Sequence, residues 1–381
     1  MNAACILKDV ADATVGFVGK MTPHYRDEGV TFLRIQDVRP HRIDVASALK
    51  VDPEFEARIR KSRLRAGDVV VVRTGKPGTS AVVPPELEGA NCSDLVVIRP
   101  GPELSSEWLS YYINAAAQGF VRERLVGAVQ QHFNVKSALE MPVPVLSLSV
   151  QEAQASVLGA LDDKIAANRH VADIAMELGE MLVRRGATDS APRSIADLAD
   201  VVMGASPRGE CLNEEGLGVH FYQGVRDFGR VFPEPRVSTT SSVRIAPKGA
   251  TLFAVRAPVG EVNLAVEDVC IGRGVASLSS TEWPATLHFS LRAFKSIWDE
   301  YQGGGTVFAS VNGRDVREMR LPMPNDPEGS IERSLASLLA RAVHAERENS
   351  RLAAIRDELL PLLMSGKIIV KDAEKTVEEV A

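Results

Sequence analysis

Cysteine is scarce: the 381 residues hold four, Cys5, Cys92, Cys211 and Cys270, widely separated and with no CxxC pair. That excludes a CxxC zinc or redox motif and leaves them as reduced structural thiols. Long apolar runs are lacking too, since no stretch approaches the ~18 uninterrupted apolar residues of a membrane span. The segment Met1–Lys20 has no basic stretch followed by an apolar run and a small-residue cleavage site, so it does not read as a signal peptide. A cytoplasmic chain without a membrane partner is expected.

Positive charge is in deficit, with 44 Lys and Arg against 50 Asp and Glu and a formal net charge of −6. Neutralising phosphates needs Lys and Arg, so this balance counts against a nucleic-acid binder. It does not exclude one, because binding depends on where basic side chains cluster. Catalytic signatures are absent as well. No glycine-rich nucleotide site is joined to an Asn or Asp followed by Pro-Pro-aromatic, since Pro84-Pro85 runs into Glu86 and Asn325 into Asp326-Pro327. Gly19-Lys20-Met21, Gly75-Lys76-Pro77 and Gly366-Lys367-Ile368 lack the hydroxyl of a phosphate loop. The seven histidines are scattered without ligand spacing, so no metal is expected. The chain reads as non-catalytic.

What is present is an ordinary globular composition, 45% hydrophobic and 25% charged, on a chain too long for one core. Two or more domains are expected. An internal repeat organises them. Leu7 to Asp12 returns as Ile195 to Asp200, and Phe32 to Arg39 as Phe221 to Asp227, at offsets of 188 and 189. The glycine turn and strand Arg65 to Arg73 reappear as Pro247 to Arg256, and each copy then turns at a glycine, Gly78 or Gly260. Each half leaves through Pro-x-Pro, Met141 to Pro144 and Leu321 to Pro324. Short Val- and Ile-rich runs between Gly and Pro read as strands of a mixed α+β domain.

After each exit the period becomes helical. Val150, Gln154, Val157, Leu161, Lys164, Asn168, Val171, Ala175, Leu178 and Leu182 form one heptad seam. Ile331, Leu335, Leu338, Ala342, Ala345, Asn349, Leu352, Arg356, Leu359 and Leu363 form the other. Two such helices, each roughly 50 Å long, predict an antiparallel coiled coil whose register Asn168 and Asn349 set. The expected fold class is α+β: two similar mixed domains separated by two long antiparallel helices, a dumbbell with pseudo-twofold symmetry. The expected boundaries are 1–148 for the first domain, 149–186 for its helix, 187–328 for the second domain, 329–366 for the second helix and 367–381 for a tail. Similar modules at a fixed spacing suit a periodic duplex, whose half-sites one turn apart present the same groove face.

The segment Leu161-Asp162-Asp163-Lys164-Ile165-Ala166-Ala167-Asn168 resembles the start of the central conserved region of Type I restriction-modification specificity subunits. Ile355 to Ile368 resembles their C-terminal ending, and the Pro-x-Pro exits and Gly78 to Pro84 are similar but less specific. The resemblance spans nearly the whole chain and thins in the second domain between Cys270 and Phe308. It implies a DNA sequence-specificity subunit that recognises a bipartite target, one target-recognition domain per half-site. It also implies two methyltransferase subunits docked on the helices, with up to two restriction subunits joining them. No cofactor is expected in this chain; the methyltransferase partners would use S-adenosylmethionine, and the restriction partners ATP and Mg. The alternative is a non-catalytic structural adaptor that binds protein partners through its two lobes.

Reading base edges needs Arg or Lys for guanine, Asn or Gln for adenine, and small hydroxyls on groove-entering loops. In the first domain, the loop Gly16 to Arg26, read as following a helix, supplies Lys20, Thr22, His24, Tyr25 and Arg26. The strand end supplies Arg73, Thr74 and Lys76, and a third cluster supplies Gln130, Gln131, His132, Asn134 and Lys136. In the second domain the candidates are Ser206, Arg208, Gln223, Arg226, Arg256, Arg273 and Thr306. Gly16 and Gly19 are expected to permit close backbone approach.

Overall fold

The computed structural model describes residues 4–125, 132–188, 190–302 and 310–378. The chain divides into two compact units, residues 1–163 with 353–381 and residues 164–352. Each long helix contributes part of its length to both units.

In the first unit, Ala11–Val15, Leu95–Pro100, Val69–Val72 and Ser80–Val82 form an antiparallel sheet in that order. All four residues of Val69–Val72 are buried, which suits an unbroken β-branched run covered on both faces. A second sheet orders Asn91–Cys92, Val30–Leu33, Leu49–Val51 and Tyr25–Arg26. Leu33, Val72, Leu95 and Cys92 share the core between them. Ala4–Ile6 pairs antiparallel with the exit strand Pro142–Pro144, so the Pro-x-Pro segment closes the domain on its own first residues.

The second unit repeats this plan. Asp200–Met203, Val275–Ser279, Thr251–Ala254 and Val262–Leu264 form the matching sheet. Its second sheet has five strands, Leu212–Asn213, Ser238–Thr239, Val219–Tyr222, Val269–Ile271 and Ile245–Ala246. The exit strand Arg320–Leu321 pairs with Arg193–Ser194. The repeat extends to single hydrogen bonds. Gly78 and Gly260, with φ of +89° and +88°, donate to the Val72 and Ala254 carbonyls in the same tight hairpin, a backbone state that suits glycine. Cys92 pairs in parallel with Leu33 as Ile271 does with Tyr222, so Cys92 and Ile271 are equivalent core positions and Cys270 stands one step earlier, where the first copy has Asn91; both cysteines are fully buried.

The long helices run Leu148–Gly186 and Ser330–Met364. In the first unit the buried Gln154 amide bridges two elements: its Nε2 donates to the Leu363 carbonyl at 3.0 Å and its Oε1 accepts from Trp108 Nε1 at 2.7 Å. Asp162 pairs with Arg356 at 2.6 Å. In the second unit Asn168 and Lys164 both meet Glu348, at 2.8 and 3.3 Å, while Gly186 lies beside Ile331. Within each unit, rising numbers on one helix meet falling numbers on the other, so the segments pair antiparallel.

One expectation is corrected. In the first helix, Gln154, Leu161, Asn168 and Ala175 are buried as expected, but their seam partners are Leu158, Ile165, Ala172 and Gly179. Val150, Lys164 and Leu178 are exposed. Steps of three and four from the same anchors fit both phases, and the apolar Val157, Val171 and Leu178 favour the wrong one. Asn168 and Asn349 are both buried, and Asn168 donates to the Glu348 carboxylate on the facing helix. Asn349 has no protein partner for either amide atom among the described residues.

Candidate nucleic-acid interface

The loop Gly16 to Arg26 follows the strand Ala11–Val15 and not a helix; the short Leu7–Asp9 turn is the only helical piece before it among the described residues. Its glycines approach the protein itself. A Cβ on Gly16 would meet Cys92 Sγ at 2.8 Å and the Cys92 carbonyl oxygen at 2.9 Å, and one on Gly19 would meet the Phe17 ring at 2.7 Å. Gly204, the counterpart of Gly16, lies so close to the Gly272 carbonyl that a Cβ would be 2.2 Å from it. These glycines seat the loop root against the sheet.

From this root, Phe17, Val18 and Gly19 wall a cleft of about 370 Å³ with Arg73, Thr74, Ser93, Asp94 and His132. Three expected readers, Arg73, Thr74 and His132, therefore meet in one place. Arg73 is held there: its guanidinium pairs with Asp94 at 2.9 Å and donates to the Phe133 carbonyl at 3.2 Å. Thr74 Oγ1 donates to the other Asp94 oxygen at 3.1 Å. Asp94, at φ +54°, organises the cleft, yet no sequence pattern singles it out. Only the tolerance of aspartate for the left-handed region hints at the role.

The other first-domain candidates spread around this centre. Lys20, Thr22, Lys76 and Lys136 are exposed. His24 stacks on the Phe55 ring at 3.7 Å, and burial raises the Tyr25 phenol above its ordinary pKa. Arg26 donates to the Pro23 and Tyr25 carbonyls and pairs with Asp52 at 3.3 Å. Asn134 caps the helix Val135–Leu139 by accepting from the Ser137 N–H at 2.8 Å. Gln130, Gln131 and Thr306 lie outside the described residues.

In the second unit a cleft of about 710 Å³ collects Gln223 and Arg226 with Glu214, Asp227, Arg236, Ala257 and Pro258. Asp227 accepts from the Gln223 N–H at 2.7 Å and pairs with Arg236, as Asp37 accepts from the Arg34 N–H at 2.8 Å and binds its guanidinium. Arg236 is a second cleft residue that sequence reasoning misses, having no partner in the first copy to mark it. Arg256 and Arg273 are exposed on neighbouring loops. Arg208, 86% exposed, pairs with Glu210 at 3.7 Å. The Ser206 hydroxyl is buried without a protein partner among the described residues, so it sits apart from the exposed candidates. Where Arg73 faces Asp94, the matching stretch Gly272-Arg273-Gly274 offers a cation. The scaffold repeats and its loop chemistry does not.

Among the described residues no group of His, Cys, Asp and Glu side chains is placed to hold a metal. No described helix is long and apolar enough to cross a membrane.

No protein-family model matches the chain. It is 25% identical over 385 aligned positions to the "Putative type I restriction enzyme MjaX specificity subunit" of Methanocaldococcus jannaschii, covering 90% of this chain and 88% of that protein. Among solved structures it superposes on the Type I restriction-modification S subunit from M. genitalium with a TM-score of 0.65 at 14% identity, over 95% of each chain. The HsdS subunit of Thermoanaerobacter tengcongensis matches at 21% identity over 96% of this chain and 97% of that one, with a TM-score of 0.37. The resemblance to Type I specificity subunits is borne out by the Methanocaldococcus relative, and the M. genitalium structure shares the fold.

Proposed function

We propose that this chain, which is related to the specificity subunits of Type I restriction-modification systems, recognises a bipartite DNA target with one unit per half-site. The duplicated domain carries the reading: two copies agree in sheet order and down to the hairpin glycines, yet differ in the side chains their clefts present. A constant frame with variable loop tips is what two readers of different base sequences require, since base edges are distinguished by donor and acceptor patterns. Arg73, Thr74 and His132 serve the first half-site, and Gln223, Arg226, Arg256 and Arg273 the second. Exposed Lys20, Lys76, Lys136 and Arg208 hold phosphates.

The subunit is non-catalytic on this reading, with no cofactor of its own. Two methyltransferase subunits dock on the paired helices and supply the S-adenosylmethionine chemistry, and restriction subunits using ATP and Mg join that core. A gel-shift comparison tests it, using the chain with its methyltransferase partner on a split target duplex and on the same duplex scrambled in one half. Tighter binding to the intact target is expected. Equal affinity would favour an adaptor that binds protein surfaces, to which the net charge of −6 is also suited.

A further inference from the structure

The first unit carries a concentration of cations that the cleft does not use. Residues 58–65 read Arg-Ile-Arg-Lys-Ser-Arg-Leu-Arg, five cations in eight positions with no acid among them. The repeat-equivalent stretch 240–247 has Arg244 alone. The helix Pro53–Arg58 and the turn Arg60–Ser62 hold the segment. Its backbone is fixed: Leu64 is fully buried and donates to the Ala90 carbonyl at 2.8 Å, and Asn91 donates to the Ile59 carbonyl at 3.2 Å.

The neighbouring acids are engaged elsewhere. Asp52 caps the helix by accepting from the Glu54 and Phe55 N–H groups, and pairs with Arg26. Buried Glu56 takes Arg63 through both oxygens, at 2.7 and 2.5 Å. Glu54 is exposed one turn before Arg58 and forms no ion pair with it among the described residues, and Glu88 accepts from the Ala66 N–H beside Arg65 at 2.6 Å. Arg58, Arg60, Lys61 and Arg65 remain exposed and form no ion pair among the described residues. Like charges crowded on one turn repel, and a polyanion would relieve that repulsion.

This arc adjoins the reading loop. The Arg58 guanidinium lies over the Phe55 ring, 5.7 Å from its centroid. The same ring stacks on His24 at 3.7 Å and meets Phe17 edge-on at 5.2 Å, and Phe17 walls the cleft.

We propose that Arg58, Arg60, Lys61 and Arg65 form a binding site for the phosphate backbone of duplex DNA beside the stretch read by the first cleft. The inference rests on the DNA-reading function proposed above and adds a sequence-independent anchor to it, because phosphate contacts set register without carrying base information. It also answers the acidic net charge: the affinity resides in a local arc and not in the average.

The test measures binding of the full-length chain to a random-sequence duplex across a series of salt concentrations. Replacing Arg58→Gln, Arg60→Gln, Lys61→Gln and Arg65→Gln together should flatten the slope of log affinity against log salt by about 0.9 per lost contact, so by roughly 2 to 4 in all. Arg58→Lys, Arg60→Lys and Arg65→Lys together keep the charge and should keep the slope. A fourfold glutamine variant that is folded by circular dichroism and retains the parental slope overturns the arc. If that variant unfolds, Arg60→Gln with Lys61→Gln should show about half the flattening, and a parental slope in this pair overturns the arc equally. A parental chain that binds random duplex through the arc yet prefers no target would overturn the function and leave the arc standing.

Discussion

Buried histidines show how single residues couple this fold to pH. His41 stacks on Tyr111 at 4.1 Å and is contacted by Asn114, and burial lowers its pKa to about 4 despite the nearby Asp162 carboxylate. His288, fully buried against Thr251, is lowered to about 3 by burial. In the unfolded chain both titrate near 6.5. Below that pH the unfolded chain takes up protons that the folded one refuses, so stability is full above pH 6.5 and declines as pH falls toward the folded values. Urea midpoints at pH 7, 6 and 5 should reveal this decline. His41→Gln and His288→Gln should each remove a slope of about 1.4 kcal/mol per pH unit from it; an unchanged slope would show that the imidazoles are protonated inside the fold. Sequence marks neither residue, because burial of a histidine depends on what packs over it. Asn134 makes the same point for the interface, where an amide that could read adenine is committed to a helix cap.

Helices are the most legible elements. The heptad rhythm locates both of them, and in the second helix every seam position expected from sequence is buried or half-buried. In the first, alternate seam positions shift by one residue, since Gly179 and Ala172 line the seam without an obvious apolar signal. Gly179 is kept small for a reason. A Cβ there would meet the Phe289 ring at 2.3 Å, so the ring of the second domain's helix Pro284–Ala293 seats on bare helix backbone. An interior glycine ordinarily costs about 1 kcal/mol relative to alanine. Gly179→Ala should nevertheless lower the thermal midpoint, because the ring must move, and Phe289→Leu should restore part of the loss. A midpoint raised by Gly179→Ala alone would remove this account. The segment after Val10 looks helical in sequence because Ala11–Val15 is too short for strand alternation to stand out.

For the whole molecule, the consequence of duplication is separability. Arg73→Ala and Arg256→Ala should each relax base preference in a different half of the target, by roughly 1 to 3 kcal/mol if each reads a base edge. Genome-wide mapping of methylated adenines with and without the gene, followed by binding to duplexes altered in one half, reads this directly. Loss of preference in both halves from one substitution would contradict one reader per half-site. Adjacent residues alone specify a duplicated α+β pair joined to two heptad helices, because glycine turns, Pro-x-Pro exits and apolar periodicity are local signals. Which side chains come to share a cleft is fixed only when the chain folds. Asp94 meets Arg73 across 21 positions and Arg58 reaches the reading loop through Phe55, and such contacts follow from how strands pair at long range, which no local pattern encodes.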